Sequence, residues 1–254
     1  MFFMIETLNI INEISDYKTL EIKHLERYNF KKSDNAYLVK TGALLSFGEN
    51  NFTQLLGEYD PIGFSEIILA QSKKLKYKIL SDLELYSFSG SKIRDEVNNS
   101  HIVVKSIIKY SLARIFDNRK SNRHYLLEDQ FIAKYHNIFR KLNYVRGDKI
   151  FICNQEPRGA YYIEKGSVAI ITNNKKHLAD LNTGETFGES ALISGKLRNN
   201  TAIANCNTSL IEINSKTLQE QIDLETPLVK LSLLSVLKRL ELMNKLRMTD
   251  DFRF

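Results

Sequence analysis

A glycine, a glutamate and an arginine lie close together in the segment FGESALISGKLRNNTA, residues 187–202. Gly188 has no Cβ, so its backbone amide can approach an anion closely, and Glu189 to Ile193 are typical of one helical turn whose free amides face that anion. Arg198 can neutralise a phosphate. Glu189 cannot, because it is itself negative, so its expected partner is a neutral hydroxyl such as the ribose 2′-OH. Together these residues predict a site for a ribose that carries a phosphate.

The same segment resembles the phosphate-binding cassette of the cyclic nucleotide-binding domain family, whose pattern is Phe-Gly-Glu-x-Ala-Leu, a short insert, and Pro-Arg-Ala-Ala-Thr. It departs from that pattern at Leu197, in place of proline, and at Asn199 and Asn200, in place of small residues. A Gly-Asp turn at 147–148 and a Tyr-Tyr-Ile-x-x-Gly run at 161–166 also match, so the resemblance covers about residues 140–213. The matching cassette residues are Phe187, Gly188, Glu189, Ala191, Leu192, Arg198 and Thr201.

The resemblance implies a cyclic nucleotide as ligand and no further cofactor. In the family, a hydroxyl residue after the arginine goes with guanine and alanine with adenine. Asn199 can both donate and accept, so cAMP and cGMP both stay open, with cAMP preferred. A lid over the base is expected from the C-terminal helix, near Met243 and Asn244. The expected ligand-binding residues are Gly188, Glu189, Ser190, Ala191, Arg198, Asn199 and Asn200.

An internal repeat relates the two halves of the sequence. AYLVKTGALLSF (36–47) aligns with AYYIEKGSVAII (160–171), which places Tyr37 124 positions before Tyr161. Further on, Phe64 aligns with Phe187 and Glu66 with Glu189, 123 positions apart. The sequence therefore predicts two copies of one domain, at 1–120 and 121–254.

The first copy is predicted to have a degenerate site. Ser65 takes the place of the glycine before the acid, Glu66 keeps the acid, and Lys74 stands near the position of the arginine. A lysine cannot form the planar two-pronged contact that a guanidinium offers a phosphate. The loop before the tyrosine strand is also shorter than in the second copy. We expect this copy to bind cyclic nucleotide weakly or not at all, and a scaffold role is the alternative to an altered second site.

Short runs of β-branched residues separated by frequent turns predict a mainly β fold with flanking α-helices. The expected architecture is two tandem jelly-roll β-barrels, each followed by helices. Residues 102–116 have apolar residues at helical spacing, and a helix is expected from Pro227 to about Met248. Residues 117–130 are expected to join the domains. The apolar seam of the last helix can join a second chain as a homodimer or pack onto the chain's own β-domain.

Composition excludes several classes of protein. The 254 residues include 43% hydrophobic residues, as in ordinary globular proteins, and Cys153 and Cys206 are too few for a disulfide framework, which fits a cytoplasmic location. No segment is long enough to span a membrane. The five histidines are isolated, so no metal site is expected. The sequence contains neither a nucleophile elbow nor a phosphate loop, so we expect no enzyme activity.

The family includes transcription activators of the catabolite-activator type and regulatory subunits of cyclic-nucleotide-dependent kinases. Little sequence follows the last helix, so a helix-turn-helix and sequence-specific DNA binding are not expected. A long docking arm before the first repeat is also not expected. The sequence thus predicts a cyclic nucleotide sensor that passes ligand binding in the second domain to a protein partner through its helices. A ligand-free interaction scaffold is the alternative, and the net charge of +6 leaves nucleic-acid binding as a third option.

Overall fold

A computed structural model describes residues 7–47, 53–73, 75–116, 139–194 and 196–249. The side chains of 192–194 and 244–249 are not among those described. These residues form two compact units. Of the described residues, the N-terminal unit comprises 7–100 together with 226–236, and the C-terminal unit comprises 101–225 together with those from 237 onward.

The N-terminal unit contains two open antiparallel sheets. One has the strand order β1-β7-β2-β5 and the other the order β4-β3-β6. Both sheets contribute to one apolar core, which includes Ile22, Tyr37, Leu44 and Leu85. The strands are β1 (Lys18–Ile22), β2 (Asn35–Thr41), β3 (Leu44–Phe47), β4 (Thr53–Leu56), β5 (Pro61–Ile62), β6 (Lys76–Ile79) and β7 (Leu83–Ser89).

The C-terminal unit also contains two open sheets, with the orders β8-β15-β10-β13 and β12-β11-β14-β9. Their shared core includes Phe151, Tyr161, Val168 and Leu210. The strands are β8 (Phe139–Tyr144), β9 (Lys149–Phe151), β10 (Gly159–Lys165), β11 (Ser167–Thr172), β12 (His177–Asn182), β13 (Thr186–Phe187), β14 (Asn200–Ala204) and β15 (Thr208–Asn214).

Helices flank the sheets. Two of them, α4 and α7, confirm the helices predicted at 102–116 and from Pro227 to about Met248. In α4, the buried residues recur every three or four positions, and the His101 side chain caps the helix by accepting from the Val103 amide. In α7, Pro227 occupies the first helical position, and the Thr226 hydroxyl accepts from the Val229 amide. The helices are α1 (Thr7–Glu13), α2 (Phe64–Ile68), α3 (Gly90–Asn99), α4 (Ile102–Ile115), α5 (Glu189–Ser194), α6 (Ser215–Asp223) and α7 (Pro227–Thr249).

The mainly β architecture agrees with the sequence prediction, but the predicted closed barrels are not found in the described part of the chain. All four sheets are open. In each unit the strand nearest the predicted site, β5 or β13, has only two residues and ends at a glycine with a left-handed backbone, so pairing stops there. The predicted domain boundary at residues 120 and 121 lies outside the described residues. Packing places α4, which the sequence assigns to the first domain, in the C-terminal unit.

In the sequence, residues 201–213 and 78–88 each mix β-branched and small residues without a helical stripe and so predict one strand, but the structure divides each segment in two. Residues 201–213 form β14 and β15, with bends at 205–207. Residues 78–88 belong to β6 and β7, which are separated at 80–82. Among the helices that the structure describes, none is long and apolar enough to cross a membrane.

Candidate functional site

The glycine that ends β13 makes room for the arginine predicted to bind phosphate. Gly188 has a φ of 85°, in the left-handed region that favours glycine. A Cβ at this position would lie 2.9 Å from Nη1 of Arg198 and 3.3 Å from Cδ2 of Tyr161. Both the backbone conformation and the close contact therefore require glycine here.

Arg198 lies beneath this glycine with only 3% of its surface exposed. Its Nη1 donates to the carbonyl of Gly188, and its Nη2 donates to the carbonyl of Gly159 at 2.6 Å. Its Nε is buried and has no hydrogen-bond partner. Because a guanidinium carries five N–H donors, these two bonds to neutral carbonyls leave donors for an anion.

An aromatic cluster supports the guanidinium. The Cζ atom of Arg198 lies 4.2 Å from the ring centroid of Phe151 and 5.9 Å from that of Tyr161. The rings of Tyr161 and Phe187 stack with centroids 5.2 Å apart. The cation therefore rests on aromatic faces in the core, where a cation–π contact offsets part of its lost hydration.

Burial shifts the pKa values of two groups at this site, Arg198 and Tyr161. Desolvation lowers the pKa of Arg198, while the nearby Tyr161 and the negative charge of Glu189 act to raise it. Burial also raises the pKa of the Tyr161 phenol to about 12, so this phenol is neutral at pH 7. The site is thus a partly desolvated cation that a bound anion would stabilise.

Glu189 is the second charged group of the site and is 2% exposed. Its Oε1 accepts from Nη1 of Arg114, on α4, at 3.4 Å. Its Oε2 is buried without a hydrogen-bond partner. The carboxylate therefore has one oxygen paired inside the protein and one that a ligand hydroxyl could satisfy.

The other predicted ligand residues are neighbours of Glu189 or Arg198 along the chain, and they are buried to different degrees. Ala191 is buried and Ser190 half-buried on α5, whereas Asn199 is exposed. The Asn199 carbonyl accepts from Sγ of Cys153, and Asn200 begins β14 opposite Thr172. A contact of these four residues with a ligand stays a prediction.

Residues 141–224 match the family model described as "Cyclic nucleotide-binding domain". This segment extends from β8 to the end of α6 and contains Gly188, Glu189 and Arg198. This part of the chain is therefore similar to cyclic nucleotide-binding domains. No curated protein is significantly similar to the chain.

Several solved structures are similar to the chain. The cAMP-bound PfPKA-R (141–441) is 16% identical, with a TM-score of 0.40, over 95% of this chain and 82% of that one. The regulatory domain of Toxoplasma gondii PKA with cAMP is 17% identical, with a TM-score of 0.35, over 96% and 90%. The cAMP-bound form of the EAL enzyme Bd1971 is 29% identical, with a TM-score of 0.39, over 45% and 31%.

The predicted base lid lies on α7. Met243 is half-buried in the C-terminal unit, and Asn244 is in the same helix, but its side chain lies outside the described residues. A contact of either residue with a base stays a prediction.

In the N-terminal unit, the buried cation is Lys73, whereas Lys74, predicted from the alignment, lies outside the described residues. Lys73 is 2% exposed, and its Nζ donates to the carbonyls of Phe30 at 3.1 Å and Ser33 at 2.6 Å. A Cβ added to Gly63, which has a φ of 82°, would clash with Cε of Lys73. Lys73 therefore lies beneath a left-handed glycine, as Arg198 does.

Strand register corrects the predicted alignment of the two segments. Ile62 pairs with Tyr37 in the N-terminal unit, and Phe187 pairs with Tyr161 in the C-terminal unit. Gly63 therefore corresponds to Gly188 and Phe64 to Glu189, so the predicted match of Glu66 with Glu189 is wrong by two positions. Glu66 is buried on α2, and its charge acts to raise the pKa of Lys73.

Two residues of these sites were not predicted from the sequence, Arg114 and Lys73. Arg114 lies between Leu112 and Ile115, two buried residues of α4. A cation next to the apolar stripe of this helix was the sequence feature that could have indicated a buried arginine. For Lys73 the signal was Gly63, a glycine directly after a short strand, as Gly188 is.

Proposed function

We propose that the C-terminal unit binds a 3′,5′-cyclic nucleotide and acts as the sensing part of a regulatory protein. The observation that carries this proposal is a pair of buried polar atoms without partners, Nε of Arg198 and Oε2 of Glu189. One is a donor on a cation and the other an acceptor on an anion. A ligand that offers both an anionic phosphate and a neutral hydroxyl satisfies both atoms.

In this proposal Arg198 holds the phosphate and Glu189 accepts from the ribose 2′-OH. Gly188 keeps the backbone close to the guanidinium, and Ser190, Ala191, Asn199 and Asn200 line the rim. Each charge-assisted hydrogen bond is worth about 1.5 to 3 kcal/mol, so losing either charged residue has a large effect on affinity.

We propose cAMP as the preferred nucleotide, with cGMP as the alternative. Asn199 is exposed next to Arg198 and offers both a donor and an acceptor to a base. Met243 and Asn244 on α7 are proposed to cover the base. If α7 has two positions, with and without nucleotide, the nucleotide shifts the equilibrium between them only by as much as its affinities for the two differ.

We further propose that the N-terminal unit is a second, degenerate copy of the same domain. Support comes from the strand orders, in which β1, β7, β2 and β5 take the places of β8, β15, β10 and β13. Lys73 fills the place of the guanidinium and Phe64 that of the ribose-binding acid, so this copy is proposed not to bind nucleotide. Signal transmission to a protein partner, a cytoplasmic location, a homodimer through α7 and the absence of catalysis belong to the same proposal.

A ligand-free scaffold is the second candidate, and one observation favours it. Two of the Arg198 donors are already held by the chain's own carbonyls, those of Gly188 and Gly159. In this alternative Arg198 only holds the backbone together through these internal hydrogen bonds, and no ligand stabilises the fold.

Thermal unfolding with a panel of cyclic mononucleotides and dinucleotides separates the two candidates, because a ligand that binds only the folded state raises the melting temperature. We expect cAMP or cGMP to raise it in wild type and not in Arg198→Ala. The control is Arg140→Ala, which removes an exposed arginine from β8 and should keep the shift. If no nucleotide shifts the wild type, the sensor proposal is wrong and the scaffold stands.

A further inference from the structure

We infer that Arg114, on α4, is a positioning residue for the ribose-binding carboxylate of Glu189. This inference rests on the proposed function of the C-terminal unit. Arg114 lies outside residues 141–224, the segment that matches the cyclic nucleotide-binding family model. The nucleotide site would then include a helix that precedes the matched domain.

The contact joins two buried groups of opposite charge. Nη1 of Arg114 lies 3.4 Å from Oε1 of Glu189, and the two side chains are 10% and 2% exposed. A buried carboxylate that loses a cation beside it has lost its hydration without that compensation, which favours movement of the side chain toward solvent. Arg114 thus holds the Glu189 carboxylate in place.

The geometry favours positioning over competition with a ligand. Arg114 uses only Oε1, and Oε2 of Glu189 is buried without a hydrogen-bond partner. A ribose hydroxyl can therefore donate to Oε2 while the guanidinium keeps Oε1, so the nucleotide does not have to displace Arg114.

Helix α4 is anchored well enough to hold the guanidinium. At its start, the His101 amide donates to Oε1 of Glu225 at 2.6 Å, next to α6, against which α4 packs. Near its end, Leu112 and Ile115 on either side of Arg114 are buried. Both ends of the helix are thus fixed within the C-terminal unit.

The test is a titration of the full chain with cAMP, cGMP and their 2′-deoxy analogues. We expect Arg114→Met to weaken binding of the ribose nucleotide by about tenfold or more, the value of one charge-assisted hydrogen bond. Binding of the 2′-deoxy analogue, which has no hydroxyl for Glu189, should change by less than about twofold. Arg114→Lys, which keeps a cation on α4, should restore part of the discrimination between ribose and deoxyribose.

Two controls separate positioning from a general effect on the fold. Lys109→Met removes an exposed cation from α4 and should leave both affinities unchanged. In a Glu189→Gln background, which removes the charge that needs Arg114, Arg114→Met should change affinity by less than about twofold. If Arg114→Met alone folds poorly because it leaves the buried Glu189 carboxylate without a cation, the double variant with Glu189→Gln removes that carboxylate and still tests the inference.

The outcomes distinguish this inference from the proposed function. If the wild type binds no nucleotide, the proposed function fails and the inference fails with it. If the wild type binds and Arg114→Met keeps its preference for ribose over deoxyribose, the inference is overturned while the proposed function stands. Tighter binding by Arg114→Met would also overturn it, because Arg114 would then compete with the ligand.

Discussion

The two units each bury one cation beneath a left-handed glycine, but with different chemistry around it. In the C-terminal unit, Arg198 stacks on Phe151 of β9 and keeps an unpartnered donor at Nε. In the N-terminal unit, the described residues between β1 and β2 form a 3-10 turn at Phe30–Lys32 instead of a strand, and the Phe30 carbonyl accepts from Lys73. Both cations thus donate to carbonyls of their own unit, but Arg198 keeps one donor without a partner, whereas Lys73 is bound by the loop before β2.

The difference extends to the first residue of the helix that follows the glycine. This residue is Glu189 in the C-terminal unit and Phe64 in the N-terminal unit, and both are buried. A phenylalanine cannot accept a hydrogen bond from a sugar hydroxyl. The C-terminal unit therefore combines a guanidinium that has a spare donor with a buried carboxylate directly after the glycine, as the proposed nucleotide binding requires.

Exchanging the two cations should give the largest effect. Arg198→Lys keeps the charge but removes the planar donor set, so we expect nucleotide affinity in the C-terminal unit to fall by about 10- to 100-fold. Lys73→Arg should create no second site, because Phe64 still replaces the acid. Isothermal titration of both variants measures these effects. Wild-type affinity in Arg198→Lys would show that any buried cation is sufficient.

Adding a methyl group to the two glycines should give an intermediate effect. Gly188→Ala and Gly63→Ala should each lower the free energy of unfolding by about 1–2 kcal/mol for the left-handed backbone, with a further cost for displacing the cation. Only Gly188→Ala should also weaken nucleotide binding. Urea unfolding and titration of each variant measure the two effects.

Gly184→Ala is the matched control for these alanines. Gly184 has a φ of 91°, and nothing lies within 4 Å of an added Cβ, so this variant has the backbone cost alone. The difference between Gly188→Ala and Gly184→Ala measures crowding at Arg198. Equal losses of stability and affinity in the two variants would contradict the role of close contact.

The smallest expected effect concerns pH. Burial lowers the pKa of Lys73 in the folded chain, against the opposing charges of Glu66 and Asp34. Between this lowered pKa and 10.5, the unfolded chain binds more protons than the folded chain, so Lys73 makes the free energy of unfolding rise with pH. Below the lowered pKa, the full cost of burying the charge is present.

Lys73→Met removes this titration. The free energy of unfolding of wild type, relative to that of Lys73→Met, should increase as the pH is raised through the alkaline range. Urea unfolding of both proteins at several pH values measures this difference. A difference that is constant with pH would show that the Lys73 ammonium is not desolvated in the folded chain.

Much of the fold could be predicted from the sequence because its signals are local. Apolar spacing predicted α4, and Pro227 after a threonine predicted the start of α7. The Gly-Glu pair and Arg198 were predicted because the cassette residues lie within one short stretch. Each of these features depends on neighbours along the chain.

The rest depended on contacts between distant residues. A phenylalanine followed two residues later by a glutamate occurs at both 64–66 and 187–189, and this similarity favoured a false alignment. The pairing of Ile62 with Tyr37 gives the correct register. Which of two adjacent lysines is buried, and which acid Arg114 contacts, are decided by tertiary packing. No spacing within one segment carries that information.

The stoichiometry of nucleotide binding tests whether the two units differ as proposed, with a spare donor on Arg198 in one and a Lys73 ammonium already bound by its own loop in the other. Isothermal titration of the full chain with cAMP and cGMP should give one strong site per chain for at least one of them. This site should be absent in Arg198→Ala and unchanged in Lys73→Met. No binding to the wild type, two equal sites per chain, or a site that survives Arg198→Ala would contradict this difference between the two units.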